Sequence, residues 1–179
     1  MPTFRLRPIG QEDLDRLVEL DSDPEVMRHL TGGIATPRQA YVDEILPRWL
    51  GQASEPGLGF FALELDPDGF VGWLHLRRDL FEPGWAELGY RLRRSAWGRG
   101  LATTAARQLM TRAFDDLGFE TVSARTVPQN AASRRVMTKL GMRYAGDFTY
   151  PGRSLAGLTL PATPGVLYVR DRASFLAPA

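Results

Sequence analysis

Cysteine is absent from the 179 residues, which excludes disulfides, thiolate metal centres and cysteine nucleophiles and permits a reducing cytoplasm. Histidine is almost as scarce, with only His29 and His75, far apart and without a motif around either; no metal site is expected. Long apolar runs are missing too: no stretch approaches the roughly 20 apolar residues of a membrane span, and the start Met1-Pro2-Thr3-Phe4 carries no apolar signal core. Neither sign of charge dominates. Twenty-two Lys and Arg face 21 Asp and Glu, a net charge of +1, which argues against a domain-wide footprint for nucleic acid. These absences lead us to expect a soluble cytoplasmic protein with no nucleic-acid or membrane partner. Its oligomeric state, a homodimer included, is left open.

The chain is 44% hydrophobic and long enough to bury one core, so residues 1–179 are expected to form a single domain, with no internal repeat and no linker to divide it. Phe4–Arg7 reads as a strand ended by Pro8, followed by a helix over Gln11–Leu20. Asp23-Pro24 supplies an N-cap and a proline at the first helical position, and Thr36-Pro37 repeats the device before a helix carrying Tyr41, Ile45 and Trp49, with a kink or early end at Pro47. Three strand-like runs, Leu58–Leu65, Phe70–Leu76 and Trp85–Arg93, form an antiparallel meander. Leu101–Leu117 is a helix stopped by Gly118, Thr121–Val127 a strand, Ala131–Leu140 a helix closed by Gly141, and Met142–Thr149 a strand. Pro151–Gly165 reads as a loop and Val166–Arg170 as a last strand returning to the sheet.

Between the meander and its helix lies Tyr90-Arg91-Leu92-Arg93-Arg94-Ser95-Ala96-Trp97-Gly98-Arg99-Gly100-Leu101-Ala102-Thr103. A strand, a glycine-bearing turn and a helix start make an anion cradle: glycine lets backbone amides approach a phosphate, and the helix N-terminus adds oriented N–H groups. The same glycines also suit a plain tight turn. A dinucleotide fingerprint would need a third glycine where Thr103 stands, and a P-loop would need Gly-Lys-Ser/Thr, which is absent. A pyrophosphate ligand of another kind remains.

Trp97-Gly98-Arg99-Gly100-Leu101-Ala102-Thr103 resembles the pyrophosphate-binding motif of the GNAT acetyltransferases, and Val127-Pro128-Gln129-Asn130-Ala131-Ala132-Ser133 resembles the segment after that family's fifth strand. Phe4-Arg5-Leu6-Arg7-Pro8, Ala86-Glu87-Leu88-Gly89-Tyr90 and Leu140-Gly141-Met142 resemble the branch that acetylates ribosomal-protein N-termini, so the likeness covers roughly residues 4–148. The resemblance implies an α/β fold with a mixed, mostly antiparallel sheet of six or seven strands, helices on both faces and a V-shaped gap between strands 4 and 5. It implies acetyl-CoA as the cofactor, released as CoA, and an amine acceptor, either a peptide N-terminus or a small molecule. Amides of Trp97, Gly98, Arg99, Gly100, Leu101, Ala102 and Thr103 would hold the pyrophosphate, and backbone groups around Leu92 and Arg93 would pair with pantetheine. Asn130 would hydrogen-bond the pantetheine, and Ser133 would sit near the thioester sulfur. Where the family often has Gln or Arg, three positions before the first glycine, this chain has Ser95, with Arg94 or Arg99 as substitutes. Asn130 is equally a good helix N-cap, with Ser133 an ordinary first-turn residue.

Glu87 lies in a strand expected to be covered on both sides, where a carboxylate must be either ion-paired or functional. His75, one strand away, reads as a satisfied polar residue rather than a base. Acetyl transfer requires a neutral amine. At pH 7 a lysine-like amine costs roughly 4.6 kcal/mol to deprotonate and an α-amine only about 1.4 kcal/mol, so Glu87, directly or through a water, suffices for a terminal amine. Ser133 would hydrogen-bond the departing sulfur. A non-catalytic acyl-CoA-binding module and an interaction domain with Gly98-Arg99-Gly100 as a mere turn are the competing readings.

Overall fold

The computed structural model describes residues 3–52, 55–155 and 157–176. β1 (Phe4–Pro8) leads into α1 (Leu14–Ser22) and α2 (Pro24–Thr31); α3 (Arg38–Ala40) continues through a π-helical stretch, Tyr41–Ile45, into α4 (Leu46–Gln52). The meander β2 (Gly59–Leu65), β3 (Gly69–Arg78) and β4 (Ala86–Leu92) follows. Then come α5 (Leu101–Thr111), β5 (Thr121–Thr126), α6 (Ala131–Lys139), β6 (Arg143–Tyr150), β7 (Arg153–Leu155), β8 (Leu158–Leu160), β9 (Thr163–Asp171) and α7 (Arg172–Leu176). Seven strands form one sheet in the order β1-β2-β3-β4-β5-β9-β6, with β4 and β5 parallel and every other neighbouring pair antiparallel.

Strand alternation divides the core between the two faces. Phe61, Leu63, Leu74, Leu76, Ala86 and Leu88 pack with Leu109, Phe114 and Met137 from the α5 and α6 side. Phe60, Ala62, Phe70 and Trp73 meet Leu17, Met27, Tyr41 and Trp49 from the N-terminal helices. The sequence of β2 is apolar at nearly every position because both faces are covered.

Local signals act largely as expected. Asp23 Oδ1 accepts from the Glu25 amide at 2.9 Å, Pro24 occupies the first turn, and Gly32 closes α2 with φ +72°. Thr36 differs: its hydroxyl donates to Asp21 Oδ2 at 2.6 Å and caps nothing. The early helix end at Pro47 does not occur, since the chain passes through the π-helical stretch just before the proline and stays helical to Gln52. Residues 151–165, read as a loop, contain the β7–β8 hairpin and the start of β9. Their turn-forming composition marks the bend near Gly157 and conceals the three-residue strands flanking it.

The β4–β5 ladder comprises two residue pairs, Ala86 with Val122 and Glu87 with Ser123, after which the strands part. A buried ionic knot sits at this vertex. Arg125 Nη1 donates to Asp79 Oδ2 at 2.6 Å and lies 3.6 Å from Glu87 Oε1, while its guanidinium lies 4.9 Å from the Phe81 ring centroid and 5.6 Å from that of Phe148. Ser123 donates to the same Asp79 oxygen, and Asp79 Oδ1 accepts from the Phe81 amide at 2.8 Å. Burial pushes the Asp79 carboxyl up, but hydrogen bonds from Arg125, Ser123 and the Phe81 amide outweigh it and hold the group below the usual carboxylate range. A depressed folded pKa gives stability that is present above the unfolded value, near 4, and lost as pH falls through the folded one. Replacing Arg125 by Met leaves Asp79 buried without its cation and should cost about 3 kcal/mol or more. Thermal unfolding at pH 7 should fall by about 6 °C or more, and this deficit should narrow as the comparison is repeated toward pH 3.

Candidate active site

Beyond the vertex, β4 has one edge on β3 and the other in the gap. Arg93 N–H bonds Val71 O at 2.9 Å, so by antiparallel alternation Gly89 and Arg91 also face β3, whereas Leu88, Tyr90 and Leu92 direct their backbone groups into the gap. The Leu92 carbonyl accepts from Trp97 Nε1 at 2.8 Å, and the Arg93 carbonyl accepts from the Ala96 amide at 3.0 Å. Both backbone groups of Arg93 are therefore engaged within the chain, and the gap edge is presented by Tyr90 and Leu92.

At the end of this edge the chain turns through Gly98 (φ +72°) and Gly100 (φ +78°), left-handed conformations that glycine adopts without strain. A Cβ at either glycine would meet nothing within 4 Å. Gly100 is the N-cap of α5 and no side chain caps it, leaving the amides of Leu101, Ala102 and Thr103 without intrahelical acceptors. An open turn followed by bare helical amides fits a diphosphate. Arg94 is ion-paired with Asp23 at 2.7 Å and Arg99 with Asp68 at 3.0 Å. Both pairs are solvent-exposed, weak and exchangeable. The Trp97 side chain is 47% exposed beside this turn.

From the α6 side, Asn130 Oδ1 accepts from the Ser133 amide at 3.1 Å and caps the helix. Ser133 Oγ lies 3.0 Å from the Tyr90 hydroxyl, which is also 3.0 Å from the Ser133 carbonyl oxygen. With its single proton, Tyr90 donates either to the carbonyl, receiving the serine proton, or to Oγ, freeing the serine to donate elsewhere. Burial pushes the Tyr90 hydroxyl up to about 12, against the opposing effect of its bond with Ser133, so it is neutral at pH 7.

Glu87 enters from the opposite face. Its Oε2 accepts from Arg77 Nε at 2.8 Å, with Arg77 Nη2 at 2.5 Å, and the residue is only 7% exposed. His75 Nε2 is 3.9 Å from Oε2, and neither imidazole nitrogen has a hydrogen-bond partner among the described residues. The satisfied histidine expected from the sequence is thus not found. Gly89, paired with His75 across the ladder, leaves room for the imidazole, which any Cβ there would overlap. Burial, then the charges of Arg77 and Arg91, lower the His75 pKa well below its ordinary value and keep it neutral. No hydrogen bond or ion pair joins Glu87 to Ser133 among the described residues; the two flank the gap from opposite faces.

Sequence reading passed over Tyr90, Arg77 and Arg125 as site residues. Tyr90 shares the alternation of Ala86 and Leu88, so it falls on the α6 side, but its approach to Ser133 depends on how α6 docks. Arg77 meets Glu87 through the β3–β4 register, which pairs the two directly. No cluster of potential metal ligands occurs among the described residues, nor is any of their helices long and apolar enough to cross a membrane.

Residues 3–143 match the acetyltransferase (GNAT) domain family. The FsC-acetyl coenzyme A-N(2)-transacetylase of Aspergillus fumigatus is 32% identical over 156 residues, covering 81% of this chain and 64% of the relative, so the chain spans a little under two thirds of that protein's length. The p20 N-acetyltransferase of Bacillus licheniformis is 29% identical, covering 79% of each chain. Mycobacterium smegmatis RimJ, solved with CoA-disulfide, superposes with a TM-score of 0.76 at 21% identity, covering 97% of this chain and 84% of RimJ, a likeness of fold. With the parted β4 and β5, the open Gly98–Gly100 turn and a family match over most of its length, the chain belongs to the GNAT family of acetyl-CoA-dependent N-acetyltransferases.

Proposed function

We propose that this chain transfers the acetyl group of acetyl-CoA to a primary amine by direct attack within a ternary complex. The observation that carries this reading is the short β4–β5 ladder: a gap opens at Glu87, runs past Tyr90 and Ser133, and ends at the open turn before α5. Acetyl-CoA supplies the thioester. The amides of Gly98 to Thr103 hold its diphosphate, with Arg94 and Arg99 able to exchange their surface carboxylates for it. Leu92 and Tyr90 offer backbone groups to the pantetheine, and the Asn130 side-chain amide adds a donor beside them. Glu87, directly or through a water, takes the proton from the amine. Ser133 donates to the departing sulfur when the Tyr90 proton lies on Ser133 Oγ, so Tyr90 sets the serine's orientation.

Membership of the ribosomal N-terminal branch is part of the proposal, supported by the motif likeness and the modest cost of deprotonating an α-amine. One observation favours the alternative of a non-catalytic acyl-CoA-binding module: the Glu87 carboxylate is already held by Arg77 and flanked by Arg125. Release of free thiol from acetyl-CoA across a panel of amines and N-terminal peptides separates the two.

Acetyl-CoA at a hundredfold excess over its dissociation constant should stabilise the fold by about 2.7 kcal/mol, read as a rise in melting temperature. Gly100→Val should remove that rise, since a branched side chain in a left-handed turn crowds the diphosphate position; an unaltered rise would return the turn to a purely structural role. Glu87→Gln and Ser133→Ala should each keep most acetyl-CoA affinity and lower turnover by about 10- to 1000-fold. Raising the pH should restore rate to Glu87→Gln, because the acceptor then loses its proton in solution, and should leave Ser133→Ala slow. Tyr90→Phe should resemble Ser133→Ala in its pH profile with a smaller loss. Wild-type turnover in Glu87→Gln at neutral pH would make Glu87 an ion-pair partner only.

A further inference from the structure

Resting on the acetyl-CoA reading, we propose that the groove between α5 and α6 holds the 3′-phosphate of the cofactor's adenosine, bound by Arg135 and Lys139 of α6 with Arg107 of α5 beside them. The diphosphate of CoA leaves the 5′ carbon of a ribose whose 3′ carbon bears a phosphate monoester, so a second anion stands one sugar ring from the first. The chain sets cations at the matching position.

Helix direction and level come from the sheet and one hydrogen bond. β4 and β5 run parallel, α5 follows β4 and α6 follows β5, so both helices start at the gap and run away from it, packed against one another. Arg107 Nη2 donates to the Lys139 carbonyl at 2.8 Å, which puts those two residues at one level. One turn back along each helix, about 5.4 Å, stand Thr103 and Arg135. The Thr103 amide is among those left bare at the start of α5.

The helix faces agree with this placement. On α6, Met137 is buried in the core and Arg134 Nε donates to the Tyr168 hydroxyl on β9 at 3.1 Å. Successive residues turn by about 100°, so Arg135 and Lys139 fall on the flank opposite Arg134, toward α5 and solvent. On α5, Leu101, Ala105 and Leu109 are buried, and Thr103 and Arg107 share the flank turned to α6. Arg107, Arg135 and Lys139 are exposed, and with Thr103 they line a groove that opens to solvent and ends at the diphosphate amides.

Charge marks this groove for an anion. Neither α5 nor α6 contains an Asp or Glu, and residues 88–114 and 121–146 have none either. Arg91, Arg93, Arg94 and Arg99 each hold a carboxylate, whereas among the described residues Arg107, Arg135 and Lys139 form no ion pair. Lys139 sits in the last turn of α6, where a cation also suits the helix dipole. Arg135 has no such role and lies four residues before Lys139, a spacing at which like charges repel. A phosphate monoester between them offsets that repulsion and accepts charge-assisted hydrogen bonds from both.

The test is calorimetric titration of the full chain with CoA and with 3′-dephospho-CoA, which keeps the diphosphate, ribose and adenine. We expect CoA to bind about tenfold more tightly, the worth of one charge-assisted hydrogen bond. That ratio should fall toward one as salt is raised, or as pH drops below about 6, where the monoester takes up its second proton. Arg135→Gln should weaken CoA several-fold and leave 3′-dephospho-CoA unchanged. Adding Lys139→Gln should bring the ratio to one, and Arg135→Glu should carry it below one. Arg99→Gln, at the diphosphate, should weaken both ligands alike. The exposed positions of Arg135 and Lys139 let these variants fold, which their melting temperatures verify. Equal affinity of the unaltered chain for the two ligands, or an unchanged ratio in the double variant, would overturn the 3′-phosphate site and leave the diphosphate cradle standing. Failure of both ligands to bind would overturn the cofactor placement, and this inference with it.

Discussion

Arg125 is the constraint on which the rest of the site depends. It is 3% exposed at its side chain, lies against a pair of touching aromatic rings, Phe81 and Phe148, and joins Asp79 in the β3–β4 connection to the neighbourhood of Glu87 on β4. Because it sits on β5, this one guanidinium fastens the two halves of the sheet where their backbone ladder is down to two residue pairs. Backbone hydrogen bonds alone would either continue along both strands and close the gap or leave the halves loosely joined. Buried charge, costly to expose or to leave unpaired, holds the vertex without requiring the ladder to extend.

The parted strands distribute the candidate site residues between two faces. In the proposed mechanism, leaving-group chemistry falls to Tyr90 and Ser133 on the side packed by α5 and α6, and amine chemistry to Glu87 on the side packed by the N-terminal helices. Alternation along β4 achieves this with residues only three positions apart, Glu87 and Tyr90. His75, uncharged and without hydrogen-bond partners among the described residues, adds polarity beside Glu87 without another charge.

Much of this arrangement is legible in the sequence. The Gly98–Gly100 turn, the helix start at Leu101, the Asn130 cap and the opposed sides of Glu87 and Leu88 follow from local rules: positive φ at glycine, capping chemistry and the two-residue period of a strand. What stayed hidden depends on register or docking. Arg77 meets Glu87 through strand pairing, Arg125 meets Asp79 across 46 positions, and Tyr90 finds Ser133 across 43; no periodicity encodes such distances. The β7–β8 hairpin was hidden differently, since three-residue strands are too short for a pattern to emerge from Pro, Gly, Ser and Thr.

The seven-stranded sheet ends at β6, whose outer edge is unpaired among the described residues. Its ladder with β9 slips between Tyr144 and Gly146, where Gly146 adopts φ +142°, and Arg143 and Asp147 put charge on either side of the slip. A strand from another molecule, laid along this edge, would find the hydrogen-bonding groups out of step after two residues and charges on its flanks. Runaway edge-to-edge stacking along β6 is thereby discouraged, and a partner at this end of the sheet is directed toward side-chain surfaces instead of a shared ladder.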